Sequence, residues 1–158
     1  MDEKFMKEAI KQAKRAESID EVPIGCVIVF QNRIIARGYN MRESKQQAYA
    51  HAEMIAIQKA CKKIGSWRLE DCELYVTLEP CAMCTGAILQ SRIKKVIYGA
   101  SDPKGGCIES CIKVYEYKGF NHYPEVISGI LKDECSNLLK SFFKKKRRDK
   151  KQAHDQFV

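Results

Sequence analysis

The chain has 158 residues, 45% of them hydrophobic, and a formal net charge of +8. That length suits one domain with one core, and no apolar run approaches the roughly 18 residues that a membrane-spanning helix needs. The charged opening Met1-Asp-Glu-Lys-Phe-Met-Lys-Glu8 is unlike a secretory signal, so a cytoplasmic protein with reduced cysteines and no membrane partner is expected.

In chain order, Phe5, Met6, Ala9, Ile10, Ala13 and Ala16 recur at three- and four-residue intervals among lysines, which predicts an amphipathic helix over residues 3–16. Two β-rich runs, 24–30 and 33–37, flank Gln31-Asn32 and predict a hairpin. Residues 38–49 are polar and read as a loop. A largely apolar helix is predicted over 51–62, a turn at Gly65, and a third strand over 74–78 that Glu79-Pro80 ends. Pro80 lacks a ladder donor yet suits the first turn of a helix over 81–90. Residues 95–99 read as a fourth strand, 100–106 as a Gly-containing loop, and 133 to about 148 as a last helix. Strands separated by helices after an opening hairpin predict an α/β sandwich around a mixed sheet. Residues 1–150 form the single domain of this reading, and 151–158 a basic C-terminal tail expected to be disordered.

Most of the excess charge is at that end. Residues 136–158 hold eight Lys or Arg against two Asp, a net +6. Such an end is either a solvated helix terminus or a surface for a polyanion such as RNA, and charge alone does not separate the two. Eight cysteines in a chain without export features read as thiols or metal ligands. Cys26 and Cys72, inside apolar stretches, read as small core residues, and Cys107 and Cys111 as incidental.

Cys81-Ala-Met-Cys84 puts two sulfurs on one face of a first helical turn, where the helix N-terminus favours the thiolate. A lone Cys-x-x-Cys also fits a redox pair, so a third ligand decides. His51 opens the preceding helix, and His51-Ala-Glu53 followed by Pro80-Cys-x-x-Cys84 resembles the signature of the zinc nucleobase deaminases. Three protein ligands leave a fourth position open to water, as a catalytic zinc requires, and zinc lowers the pKa of that water from about 15.7 to about 7. Glu53 is then the general acid and base, although an acid near a helix start also simply complements its positive end.

Over nearly its whole length the sequence resembles the tRNA-specific adenosine deaminases. The resemblance lies in Glu21-Val-Pro-Ile-Gly25, Gly38-Tyr-Asn40, Ala50-His-Ala-Glu53, the run from Leu74 to Cys84, Ser91-Arg-Ile93, Gly99-Ala-Ser-Asp102, Phe120-Asn-His122 and Phe142-Phe143 with the basic residues after it. It implies a cytidine deaminase-like three-layer α/β/α fold with a mixed five-stranded sheet sandwiched by helices, one Zn2+ per subunit, and a homodimer. It also implies hydrolytic deamination of adenosine to inosine at the wobble position of a tRNA anticodon. Asn40, Asp102 and the backbone at Ala52 would hold the target nucleotide, and Phe143, Lys146 and Arg147 would meet the anticodon stem-loop. From the residues themselves, Asn40 equally fits a turn cap, Asp102 a turn start, and Phe142-Phe143 helix packing. Where the family commonly has Pro-Thr before the Ala-His-Ala-Glu stretch this chain has Ala48-Tyr49. Cys107 to Lys113 replaces a more apolar segment, and Lys144-Lys-Lys146 stands where arginine is common.

Two alternatives share parts of the pattern. A deaminase of free bases or nucleosides, of the guanine or cytosine type, has the same zinc motif and no need of a basic aromatic tail. An RNA-binding module with a structural zinc would supply a fourth protein ligand.

Overall fold

A computed structural model of the chain describes residues 1–157. Its elements in order are α1 (Asp2–Ser18), β1 (Gly25–Phe30), β2 (Arg33–Tyr39), α2 (Arg42–Lys45), α3 (Ala52–Ile64), β3 (Cys72–Leu78), α4 (Ala82–Gln90), β4 (Lys95–Ala100), a 3-10 turn at Val114–Glu116, β5 (Glu125–Ser128) and α5 (Lys132–Phe157). The strands form one sheet in the order β2-β1-β3-β4-β5. β1 is antiparallel to both β2 and β3, while β3, β4 and β5 run parallel. Because Cys26 of β1 pairs with Val76 of β3 in antiparallel register, the start of β1 and the finish of β3 lie at the same end of the sheet.

Side chains alternate across the sheet as the strand period requires. Cys26, Ile28, Leu74, Val76, Val96 and Tyr98 face α3 and α4 and pack with Ala56, Ala60 and Ile88. Val27, Val29, Tyr75 and Ile97 face the other way, against Phe5, Met6, Ala9 and Ile10 of α1 and Cys135 of α5. These two apolar layers make the expected sandwich, a mixed five-stranded sheet between helices. Cys26 and Cys72 are buried in the α3 side of the core. α3 lies so close on β2 that a Cβ added at Gly38 would run into the carbonyl oxygen of Ala52 and the amide of Ala56. That contact fixes where α3 begins.

Four local differences from the sequence expectations have physical reasons. The predicted hairpin forms, with Gln31 and Asn32 both at positive φ as a two-residue turn requires, but β2 runs two residues further, to Tyr39. The polar stretch after it contains the single helical turn α2. β5 has only four residues and sits at the sheet edge, too short for its alternation to register as a pattern. Finally, α5 continues past Arg148 to Phe157, where a disordered tail from 151 was expected. Residues 144–157 hold neither Gly nor Pro and are rich in Lys, Arg, Gln and Ala, which favour helix; Val158 lies outside the described residues.

Candidate active site

Two helices open toward one point. His51 is the N-cap residue of α3 and Cys81 that of α4, both with extended backbone (φ −81°, ψ 155° and φ −73°, ψ 178°) and neither making a side-chain cap bond. Their carbonyls instead accept the first helical bonds, from Ile55 N–H at 3.1 Å and Thr85 N–H at 2.8 Å, so both side chains are free to turn inward. His51 Nδ1 lies 3.6 Å from Cys81 Sγ and 3.6 Å from Cys84 Sγ, and the three donor atoms fall within 4.8 Å of one another. In a tetrahedron with metal–sulfur bonds of about 2.3 Å and metal–nitrogen bonds of about 2.0 Å, ligand atoms are roughly 3.6 Å apart. The set therefore fits one tetrahedral ion, and it is the one such group found among the described residues.

The electrostatics suit a cation. A hydrogen bond from the Cys84 thiol pulls the Cys81 thiol down to about 4, and the same bond, with burial, pushes Cys84 up. Cys81 is thereby favoured as a thiolate, the form a metal requires. Hydrogen bonding to Cys81 raises His51 against its own burial. Glu53, 3% exposed, stands in the first turn of α3. Burial lifts its carboxyl to about 7, opposed in part by its own backbone N–H and by His51. A carboxyl held near neutrality can both take and give a proton at physiological pH.

A cavity of about 340 Å³ opens over these groups. Asn40, Ala52, Asp102 and Phe143 line it together with His51, Glu53 and Cys81, so most of the sequence-predicted residues converge. Asn40 is buried and serves a turn as well, its Oδ1 accepting from Arg42 N–H and its amide donating to the Val22 carbonyl. Asp102 Oδ1 accepts from the amides of Lys104 and Gly105, which makes it a turn residue at the cavity wall. Phe142 is buried and Phe143 is 44% exposed at the rim, the two rings packed edge to face. Lys146 and Arg147 lie outside the cavity lining. Lys146 pairs with Asp20 at the end of α1 and stands 5.6 Å from the Phe142 ring, and Arg147 is exposed.

Sequence reasoning passed over seven of the lining residues, among them Arg42, Glu21 and Glu79. Arg42 lies at the start of α2. The Glu21 carboxylate, 2% exposed, accepts from Glu43 N–H at 3.1 Å and Ser44 N–H at 2.7 Å and so holds α2 against the cavity. Glu79, equally buried, accepts from the amides of Asp102, Ile108, Glu109 and Ser110 and from the Ser110 hydroxyl. Burial alone would raise its carboxyl; these donors outweigh it and hold Glu79 below the usual range. Glu21 and Glu79 are acids placed beside apolar residues, the one next to Val22-Pro23 and the other between Leu78 and Pro80. That was the available signal.

Residues 1–147 match the model of the MafB19-like deaminase family. A tRNA-specific adenosine deaminase of Bacillus subtilis (strain 168) is 54% identical over 152 residues, which are 96% of this chain and 94% of that protein. The chain belongs to the tRNA-specific adenosine deaminase family. A solved structure from a study of A-to-I editing by tRNA:A34 deaminases at the wobble position superimposes with a TM-score of 0.83 at 44% identity, covering 85% of this chain and 98% of the other. A guanine deaminase from Bacillus subtilis is also similar, with a TM-score of 0.60 and 44% identity over 63% of this chain and 64% of the other.

Proposed function

We propose that the chain is a zinc enzyme that hydrolyses adenosine to inosine at the wobble position of a tRNA anticodon, consuming water and releasing ammonia. The carrying observation is one cavity lined by His51, Cys81 and the buried Glu53, with Cys84 Sγ 3.6 Å from His51 Nδ1 behind it, in a chain 54% identical to a tRNA-specific adenosine deaminase. His51, Cys81 and Cys84 would hold one zinc ion per subunit, which would supply Lewis acidity that makes water nucleophilic near neutral pH. The Glu53 carboxylate would take the proton of the water that attacks C6 and deliver it to N1 of the adenine ring, then take the proton of the hydroxyl now on C6 and give it to the departing amine, leaving the C6 carbonyl and ammonia. Carbon–oxygen bond formation and carbon–nitrogen bond cleavage thus share one proton carrier.

Asn40, Asp102 and the backbone at Ala52 hold the nucleotide. The spare amide hydrogen of Asn40 and the carboxylate of Asp102 suit hydroxyl and ring-nitrogen groups. Phe143 presents a ring at the rim for an unstacked base, while Lys146 and Arg147 begin a basic stretch of α5 that suits loop phosphates. Domain 1–150 carries the chemistry in this reading, and the helical end extends the RNA surface. A cytoplasmic homodimer completes it. Eight free cysteines suit a reducing compartment, and no helix among the described residues is long and apolar enough to cross a membrane. Exposed Trp67, Ile112 and Tyr117 are surface that a second chain would cover.

The test is inosine formation by zinc-loaded protein on an anticodon stem-loop with adenosine at the wobble position. Inosine on that substrate supports the proposal. The likeness to guanine deaminase favours one second reading, a free-base deaminase; turnover of guanine with no turnover of the stem-loop would establish that reading instead.

A further inference from the structure

The segment from Asp102 to Cys111 has no regular secondary structure, yet it forms one wall of the cavity through Asp102. One side chain gathers most of its inward-facing amides. Four backbone N–H groups, those of Asp102 at 3.1 Å, Ile108 at 3.2 Å, Glu109 at 2.8 Å and Ser110 at 3.0 Å, converge with the Ser110 hydroxyl on the carboxylate of Glu79. The neighbouring backbone closes the same seam: Glu79 N–H donates to the Ala100 carbonyl at 2.8 Å, and Cys107 N–H donates to the Pro80 carbonyl at 2.9 Å. Gly106 completes it, because a Cβ there would overlap the Glu79 carboxylate.

Five donors exceed the roughly four lone-pair sites of one carboxylate, so its acceptor capacity is fully used, and charge-assisted bonds of this kind are roughly twice as strong as neutral ones. Glu79 is also two residues before Cys81. The side chain that folds the loop is therefore covalently tied to the turn that presents a metal ligand, and one of its donors is the amide of Asp102 itself. We infer that Glu79 is a positioning residue: it sets the height and orientation of Asp102 against the turn carrying Cys81, and so governs how the target nucleotide is held over the reacting centre. This rests on the nucleotide-holding role of Asp102 proposed above.

Glutamine at position 79 keeps the volume but loses the match. Its amide nitrogen would face N–H groups that need an acceptor, so part of the loop must let go. With the stem-loop substrate, Glu79→Gln raises KM at least tenfold and changes kcat less, while zinc content stays at one per chain. Asp102→Asn raises KM by a similar factor, and Glu79→Gln/Asp102→Asn is no worse than Asp102→Asn alone, since the first change acts through the second. Amide hydrogen exchange, which needs no activity, quickens at residues 102 and 108–110 in Glu79→Gln and stays unchanged in α4. Gly106→Ala, which crowds the carboxylate from the other side, reproduces the exchange and KM effects.

A wild-type KM in Glu79→Gln, losses that multiply in the double variant, or unchanged exchange at 102 and 108–110 would each overturn the inference. Loss of zinc from Glu79→Gln would overturn it too, because the residue would then be supporting the metal ligands. If the wild type makes no inosine at all, the functional reading fails, and the exchange measurement alone decides whether Glu79 orders the loop.

Discussion

His51 and Cys81, thirty positions apart in the chain, occupy the same place on their helices: each is an extended N-cap residue whose side chain turns away from capping, bringing Nδ1 and Sγ to 3.6 Å. The helix starts aim two positive ends at the sulfurs, which favours the thiolate form a metal needs. Replacing Cys81 by Ser should therefore lower bound zinc from one per chain to below a tenth of that after dialysis, measured by atomic emission. Full retention of zinc would remove Cys81 from the ligand set.

Glu53→Gln separates chemistry from metal binding. Zinc content should stay at one per chain while inosine formation falls by about 100- to 10,000-fold, the usual worth of a general acid–base group. A variant within tenfold of wild type would exclude Glu53 as the proton carrier.

The same substitution has an opposite effect on stability. Glu53 has a folded pKa of about 7 against an ordinary 4.5, so the folded state holds the proton more tightly and stability drains as pH rises from about 4.5 to about 7. In zinc-stripped protein, Glu53→Gln should be more stable than wild type at pH 8, by on the order of 3 kcal/mol, and nearly equal to it at pH 4.5. Urea unfolding at the two pH values reads this directly; equal stabilities at pH 8 would mean that burial imposes no such cost.

Gly38 sets the start of α3, and through it His51. Gly38→Ala should destabilise the protein by about 1–3 kcal/mol, as overpacking commonly does, and weaken zinc in competition with a chelator. Thermal unfolding with and without zinc checks both effects, and an unchanged zinc affinity would uncouple the β2–α3 contact from the site.

Lys146 is already paired with Asp20, whereas Arg147 is exposed. Arg147→Ala should weaken stem-loop binding more than Lys146→Ala does, and Asp20→Asn should strengthen it and steepen its salt dependence. Truncation after Phe143 should flatten that dependence and spare zinc content. Binding isotherms at several salt concentrations give the slopes, and an unaltered slope in the truncated protein would take α5 out of the RNA surface.

Much of this was legible before any coordinates. α1, α3 and α4 announce themselves through apolar periodicity, and the metal-ligating group through residue types whose spacing fits two helix starts. The carboxylates of Glu79 and Glu21 were not legible, because their partners lie 22 to 31 residues away, in an irregular loop and in a single helical turn too short to show periodicity. β5 lacks the length to show alternation, and the reach of α5 was underestimated because charge was read as disorder where helix propensity prevailed. Lys146 shows a third kind of limit: its partner Asp20, just past the end of α1, is 126 residues distant, and no local pattern predicts such a pairing.

The signs of charge around the cavity divide sharply. Five carboxylates, on Glu21, Glu43, Glu53, Glu79 and Asp102, line it against the one guanidinium of Arg42, while the run of Lys and Arg lies on α5 beyond Phe143. Two thiolates would balance a zinc dication, so the acids leave the interior net negative. Phosphates are thereby repelled from the interior and attracted to the outer helix, and only an uncharged portion of a polyanion can enter. In the proposed function, a nucleic acid approaching this surface would be oriented by charge before contact, with its backbone outward and a base inward.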